Sequence, residues 1–301
     1  MSDNYQQSSS EEFTAPDNSP QWFLDNLQCP GESHYALVNG NRIHFLSWNL
    51  DSTSLPVLVF MHGFGGNANW WSFLIPFFTD HYRVVAIDLP GMGDSGYPQV
   101  YNEECFAQAI IGVIRQYQLQ PATIIGHSFG GVQALRALGM TPELFNRAIV
   151  VDSVISLPPM PPAPSPLAPR STHQLRADRD ACIARFRLIP PQPLPEGNEA
   201  IYQFISYHSC VGDENGWHWK FDPKIGNYAE IDDIKILAKV PLRVDCIYGE
   251  LSLFNADDLP ARILANISNA GDLVIIPGGY HHLMIDKPLE LVAAIQSLLE
   301  K

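Results

Sequence analysis

One short stretch of the sequence has the pattern of a serine nucleophile. Gly126-His127-Ser128-Phe129-Gly130 reads G-x-S-x-G, and it lies between an apolar run and a helical pattern. In a strand–turn–helix unit of this form the turn is so tight that side chains at the two glycine positions would clash, and the serine hydroxyl is exposed at a helix N-terminus. Because a hydroxyl is a weak nucleophile at neutral pH, Ser128 also needs a base to take its proton.

Three further stretches, together with this turn, resemble the α/β-hydrolase family. MHGFGG (61–66) follows an apolar run, and IDLPGMGDSG (87–96) has the family's form D-x-P-G-x-G-x-S. IPGGYHHLMIDKP (276–288), here named the histidine loop, is similar to the family loop that carries the catalytic base. The resemblance covers residues 34–152 and 236–301.

The first two of these stretches gain roles from the resemblance. It implies that the backbone N–H groups of Phe64 and Phe129 form an oxyanion hole, which stabilises the negative oxygen of a tetrahedral intermediate. We interpret Asp88 and Asp94 as residues that form a turn rather than as catalytic acids. Acyl transfer through Ser128 is the chemistry that such a site supports.

Two adjacent histidines compete for the role of the base. In the family the catalytic histidine typically lies seven residues before a proline that opens the final helix, and counting back from Pro288 gives His281. His282 is the rival, and Tyr280 stands where a glycine usually precedes the catalytic histidine. On the spacing, we predict that His281 is the base.

In the stretch YGELS (248–252), a serine stands where the family usually has the carboxylate that orients the imidazole. In most of the family this acid lies three residues after a glycine, and Gly249 plus three is Ser252. A serine cannot supply the negative charge that stabilises a protonated histidine. The acid must therefore come from elsewhere in the chain, or be absent.

Asp152 is the favoured candidate for this acid. It ends the apolar run RAIVVDS, and some members of the family, including certain haloalkane dehalogenases, carry the acid at the end of that strand. The carboxyl ends of parallel strands are neighbours in space, so the shift is geometrically reasonable. Glu250 is the alternative, two residues before the usual position, whereas Asp257 and Asp258 are expected at a helix start.

The elements that must position these residues alternate between strands and helices. HYALVNGNRIHFLSWN (34–49) is predicted as two strands around a turn. Buried strands are predicted for the apolar runs 56–63, 82–91, 121–128, 147–153, 241–249 and 271–279. Helical patterns include residues 104–119 and 288–300. We therefore predict an α/β fold with a mostly parallel central sheet flanked by helices, over residues 21–156 and 236–301.

An insertion interrupts this alternation. Residues 156–169 contain seven prolines in fourteen positions, which excludes a helix or a central strand. Helical patterns follow at about 171–187 and 197–209, before the sheet resumes. Residues 157–235 are therefore predicted to form a mainly helical cap, while residues 1–20, rich in Ser, Asn, Gln and acids, are predicted to be a disordered tail.

Aromatic side chains are the candidates for substrate contact. Trp217 and Trp219 lie in the predicted cap, and Trp70 and Trp71 follow the predicted oxyanion loop. Their apolar surfaces would suit the acyl or alcohol group of an ester, and packing inside the protein is the alternative for each of them.

Composition limits the partners and the compartment. The chain has 301 residues, of which 46% are hydrophobic and 17% charged, with a formal charge of −14. That charge argues against nucleic acid and anionic membranes, and no apolar run approaches the length of a membrane span. Five scattered cysteines without a C-x-x-C pair favour reduced thiols and hence a cytoplasmic location. Without a dinucleotide fingerprint, phosphate loop or metal-spaced ligand cluster, we predict no cofactor and no metal.

The predicted activity is the hydrolysis of small-molecule carboxylic esters or related acyl compounds through an acyl-enzyme on Ser128. The alternative with the same triad is a carbon–carbon bond hydrolase, which an arginine holding a substrate carboxylate would favour; Arg170 and Arg185 are candidates. A third interpretation, prompted by YGELS alone, is a catalytically inert binding protein on the same scaffold. The sequence leaves the oligomeric state open.

Overall fold

Two sheets organise the part of the chain that the structure describes. The computed structural model describes residues 12–102, 104–153, 155, 157, 172–225, 235 and 237–301. The strands are β1 Glu32–Val38, β2 Asn41–Trp48, β3 Val57–Met61, β4 Arg83–Ile87, β5 Ala122–His127, β6 Phe145–Val151, β7 Cys210–Asp213, β8 Gly216–Trp219, β9 Arg243–Gly249 and β10 Ala270–Ile276.

The large sheet has the strand order β1-β2-β4-β3-β5-β6-β9-β10. Strand β2 runs antiparallel to both of its neighbours, and all pairs from β4 to β10 are parallel. The predicted α/β fold with a mostly parallel central sheet is therefore confirmed. β3, β4, β5, β6 and β9 match the predicted apolar runs because a strand buried on both faces has no polar side to alternate with. The prediction of a buried strand at 271–279 was wrong in its burial: β10 lies at the edge of the sheet and is only partly buried.

Helices cover both faces of this sheet. The helices of the described residues are Gln21–Leu27, Asn69–Ser72, Cys105–Gln116, Phe129–Met140, Arg179–Ile183, Glu199–His208, Leu259–Leu264, Leu283–Asp286 and Pro288–Leu299, with 3₁₀ turns at Ile75–Phe77, Pro142–Leu144 and Leu253–Asp258. Along β3, Val59 and Met61 belong to one hydrophobic cluster, and Leu58 and Phe60 belong to the other. None of the described helices combines the length and apolar character that a membrane span requires.

An insertion, defined here as the described residues 172–225, separates β6 from β9. It contains the helices Arg179–Ile183 and Glu199–His208, followed by the antiparallel hairpin of β7 and β8. The helix predicted at about 171–187 is therefore much shorter than its pattern, and a hairpin accompanies the predicted helices. The proline-rich stretch, apart from Leu157, lies outside the described residues.

Part of the predicted tail contacts the insertion. Residues 1–11 lie outside the described residues, but the ring of Phe13 lies 5.3 Å from that of Phe204 and 5.6 Å from that of Tyr207. The domain boundaries proposed from the sequence stay predictions.

Candidate active site

Ser128 occupies a strained turn between β5 and the helix Phe129–Met140. Its φ is +53°, a left-handed conformation that is uncommon for a residue with a side chain, and its N–H donates to the Val151 oxygen at 2.9 Å. A Cβ at Gly126 would lie 2.5 Å from the Gly130 oxygen, and a Cβ at Gly130 would lie 2.4 Å from the His62 oxygen. Both glycines of the motif are therefore required by close backbone approach, as the sequence pattern predicts.

Among the described residues, the carboxylate that contacts the ring of His281 is that of Asp152. Its Oδ1 lies 2.8 Å from Nδ1 of His281 and accepts a hydrogen bond from the Ser252 hydroxyl at 2.5 Å. Its Oδ2 accepts the N–H of Gly249 at 2.8 Å. Ser252, which stands where the family usually has its acid, thus donates a hydrogen bond to an acid that comes from another strand.

Strand order explains why Asp152 reaches this position. β6 lies between β5, which ends beside Ser128, and β9, which leads into YGELS. The N–H of Asp152 donates to the Ile247 oxygen of β9 at 2.7 Å, so the residue is still held by the sheet when its φ turns to +43°. That turn directs a fully buried side chain across the end of β9 toward His281.

The other candidate acids lie elsewhere. Glu250 is exposed, and its Oε2 accepts the N–H of Gly278 at 2.7 Å, so it caps the start of the histidine loop. Asp257 and Asp258 are exposed and follow in a 3₁₀ turn. Among the described residues, no contact joins any of these three carboxylates to the ring of His281.

His282 points away from Asp152 and toward the insertion. Its ring Nδ1 and its backbone N–H both lie 2.8 Å from Oε1 of Gln192. Because an amide oxygen only accepts, Nδ1 carries the proton, and burial lowers the pKa of His282 well below its usual value. The structure therefore brings His281, not His282, to Asp152.

Burial sets the electrostatics of the Asp152–His281 pair. It raises the pKa of Asp152 to about 7, and it lowers the pKa of His281 to about 3, because neither charge is solvated. Hydrogen bonds from Ser252 and Gly249 oppose the effect on Asp152 by favouring its ionised form. Neighbouring His127 is also buried, its pKa falls to about 3, and its Nε2 donates to the His281 oxygen at 2.9 Å.

The loop that carries Phe64 lies beside the start of the helix that carries Phe129. Their rings pack edge to face with centroids 5.6 Å apart, and a Cβ at Gly63 would lie 3.3 Å from Cβ of Ser128. The ring of His62 braces the first loop, since Nδ1 donates to the Gly63 oxygen at 2.7 Å and Nε2 accepts the N–H of Leu89 at 3.0 Å. The loop after β3 therefore runs directly past the serine.

The aromatic residues predicted to contact substrate fall in different surroundings. Trp71 is fully buried, and its indole N–H donates to the Met61 oxygen at the end of β3 at 3.0 Å. The ring of Trp70 lies 5.5 Å from that of His282 and 6.3 Å from that of Phe186, beside the histidine loop.

The insertion holds the remaining candidates. The guanidinium of Arg179 lies 4.5 Å from the centre of the Trp217 ring, so that ring packs within the insertion. The ring of Trp219 lies 5.9 Å from Phe186. Arg185 is exposed, and Arg170 lies outside the described residues.

One group of side chains has the composition of a metal site. His44, Asp88 and Asp94 place ligand atoms within 4.8 Å of one another. However, Asp88 accepts hydrogen bonds from Nδ1 of His44 at 2.7 Å and from the N–H of Ala68 at 2.5 Å, and Asp94 pairs with Lys220 at 2.8 Å. Protein donors already occupy these oxygens, so we interpret the group as a brace for the turn. The absence of a metal and of a cofactor stays a prediction.

We expect replacement of Ser252 by alanine to lower kcat for an ester about tenfold. A hydrogen bond to a carboxylate contributes about 1.5–3 kcal/mol, and its loss leaves Asp152 with fewer partners to hold it against His281. Initial rates for wild type and Ser252→Ala measure the effect. A Ser252→Thr variant keeps the hydroxyl and serves as the control. Equal rates for Ser252→Ala and wild type would remove Ser252 from the site.

The chain is similar to known proteins that are named as hydrolases or esterases. A model of the alpha/beta hydrolase family matches residues 58–295. A Haemophilus influenzae protein named "Putative esterase/lipase" is 27% identical over 282 residues, covering 89% of this chain and 92% of its own. "Esterase Rv0045c" of Mycobacterium tuberculosis is 23% identical over 281 residues, covering 87% and 88%. A solved structure of that esterase has a TM-score of 0.72 at 20% identity, over 96% of this chain and 100% of that one, which shows a shared fold.

Proposed function

Since the chain belongs to the α/β-hydrolase family and is a hydrolase, we propose that it hydrolyses carboxylic esters or related acyl compounds through an acyl-enzyme on Ser128. The observation that carries the proposal is the contact of His281 with a buried carboxylate, Asp152, beside the strained turn of Ser128. In this proposal Asp152 provides the carboxylate for His281 that Ser252 cannot provide. The names of the two relatives, both of which contain the word esterase, support the substrate class.

The proposed reaction assigns one step to each group. His281 takes the proton of Ser128 as the hydroxyl oxygen attacks the acyl carbon, and Asp152 stabilises the resulting imidazolium. The backbone N–H groups of Phe64 and Phe129 stabilise the oxyanion. His281 then returns the proton to the leaving alcohol, and water activated by the same imidazole releases the acid.

The substrate and the compartment are proposed more coarsely. We propose a small-molecule acyl substrate that lies against Trp70 and the insertion. Trp219 is a further candidate for substrate contact, because its ring packs on Phe186, which lies beside Trp70. A cytoplasmic location, independence from nucleic acid and the extent of the cap remain predictions from the sequence.

Ester hydrolysis is expected to become slower as the pH is lowered below about 7. The raised pKa of Asp152 means that this carboxylate gains a proton as the pH falls through about 7. An Asp152–His281 pair that already holds the extra proton cannot accept one from Ser128, and coupled groups titrate as a pair. We therefore expect kcat/KM to fall about tenfold per pH unit on the acid side of this value. A fall that begins only near pH 3 would mean that His281 titrates independently of Asp152.

Hydrolysis of p-nitrophenyl esters of short and medium chain length tests the proposed function. Wild-type protein is expected to release p-nitrophenol with burst kinetics, because acyl-enzyme formation precedes slower hydrolysis with an activated leaving group. The Ser128→Ala variant is the control for background hydrolysis. Equal rates for wild type and this variant would contradict the proposal.

A further inference from the structure

Gln192, a residue of the insertion, contacts the histidine loop next to His281. Oε1 of Gln192 accepts hydrogen bonds from the backbone N–H and from the ring Nδ1 of His282, both at 2.8 Å. A carbonyl oxygen has two lone pairs, so these donors fill its acceptor capacity. His282 is only 3% exposed, so this contact lies where the insertion covers the loop.

The backbone around Gln192 is stiff. Pro191 and Pro193 flank it, and a proline fixes its own φ and also restricts the residue before it to extended conformations. Gln192 therefore has little backbone freedom to lose when its side chain binds the histidine loop. A second bond between the same two segments, from Nδ2 of Asn198 to the Ile285 oxygen at 2.8 Å, fixes the loop further along.

The peptide unit that joins His281 to His282 is held at both ends. Its carbonyl oxygen, that of His281, accepts from Nε2 of His127 at 2.9 Å, and its N–H, that of His282, donates to Gln192. A peptide unit is planar and rigid, so fixing both ends fixes the main chain that carries the His281 ring. One anchor comes from the residue before Ser128, and the other comes from the insertion.

We propose that Gln192 is a positioning residue for catalysis, which orients His281 by holding the backbone N–H of His282 while the insertion is seated on the histidine loop. The inference rests on the proposed function, because it assigns Gln192 its effect through the base of that reaction. The insertion then has two tasks: it covers the site and it completes the alignment of the base. If the insertion moved away from the histidine loop, His281 would keep its contact with Asp152. Its backbone would lose the anchor that Gln192 provides at the N–H of His282.

The test compares Gln192→Ala with Gln203→Ala. Gln203 is an exposed glutamine on the insertion helix Glu199–His208, so its replacement controls for loss of an amide from the same segment. The measurements are the rate of labelling by a fluorophosphonate, kcat and KM for p-nitrophenyl butyrate, and the thermal midpoint. We expect Gln192→Ala to lower the labelling rate and kcat about tenfold with KM within about twofold, and Gln203→Ala to match wild type.

A spectroscopic measurement separates positioning from a purely structural role. The hydrogen bond between His281 Nδ1–H and Asp152 is expected to give a low-field proton resonance in wild type, and this resonance is expected to broaden or shift in Gln192→Ala alone. A normal labelling rate and kcat in Gln192→Ala, or a rise in KM alone, would overturn the inference and leave the proposed function intact. Failure of wild type itself to label would instead contradict the proposed function.

Discussion

Replacing His281 with alanine is expected to lower kcat for p-nitrophenyl butyrate about a millionfold, to the level of Ser128→Ala. In a serine hydrolase the nucleophile and the base act as a unit, so removing either costs about as much as removing both. We expect so large a loss of kcat because Nδ1 of His281 contacts Asp152 and both side chains are buried from water. Initial rates at high enzyme concentration, with Ser128→Ala as the background, measure the loss.

His282 provides the matched control for this prediction. It is an adjacent histidine that is equally buried, but its ring contacts Gln192 rather than a carboxylate. His282→Asn keeps a nitrogen donor near the position of Nδ1, so we expect a loss of about tenfold at most. A collapse in His282→Asn with activity retained in His281→Ala would reverse the assignment of the base.

Replacing Asp152 with asparagine is expected to lower kcat about ten-thousandfold. An asparagine keeps the shape of the side chain but carries no charge, so it neither stabilises the imidazolium nor holds the correct tautomer of His281. Ser252 and Gly249 also aim donors at this side chain, and they favour an ionised carboxylate over an amide that presents its own N–H groups. Ester hydrolysis by wild type and Asp152→Asn measures the loss, with circular dichroism to verify the fold.

Glu250→Gln is the control for the position of the acid. The Glu250 side chain is exposed and bonds the N–H of Gly278, and a glutamine oxygen can accept the same hydrogen bond. We therefore expect kcat within about threefold of wild type, because only a hydrogen bond at the surface is altered. A collapse in Glu250→Gln alone would place the acid within YGELS and would contradict the role of Asp152.

Local sequence was sufficient to predict the tight turn at Ser128 and the place of His281 before the last helix. Gly126 and Gly130 are required because the backbone of nearby residues and of the segment at the end of β3 approaches them closely. The pentapeptide alone is therefore enough to predict the tight turn. The last helix begins at Pro288, as the sequence pattern predicts, and His281 lies seven residues before it. The central strands were predictable because their burial on both faces makes them continuous apolar runs.

The carboxylate that contacts His281 could only be narrowed to candidates from the sequence, because this contact joins distant segments of the chain. Ser252 lies one hundred positions after Asp152, and no local pattern of either residue encodes their hydrogen bond. Strand order decides it, since β6 lies next to β9 at the edge where the histidine loop begins. The contact of Gln192 could not be predicted from the sequence for the same reason, because its hydrogen-bond partner His282 is 90 positions away.

The aromatic residues predicted to contact substrate stay candidates, and their spacing in the sequence did not predict their surroundings. Trp70 and Trp71 are neighbours in sequence, yet Trp70 lies beside His282 and Trp71 is fully buried against β3. Both rings are buried in one hydrophobic cluster, but adjacent residues of a short helix point in different directions, so the two rings have different neighbours. The hairpin of β7 and β8 was also not predicted, because an aromatic alternation of a few residues fits more than one structure.

A fluorophosphonate is expected to label Ser128, because His281 and Asp152 activate its hydroxyl as a nucleophile. The reagent reacts covalently with an activated serine and does not depend on the identity of the natural substrate. We expect stoichiometric labelling of wild type, with the added mass on the peptide that contains Ser128, and no labelling of Ser128→Ala. A wild-type protein that stays unlabelled, or a label on another residue, would contradict the account.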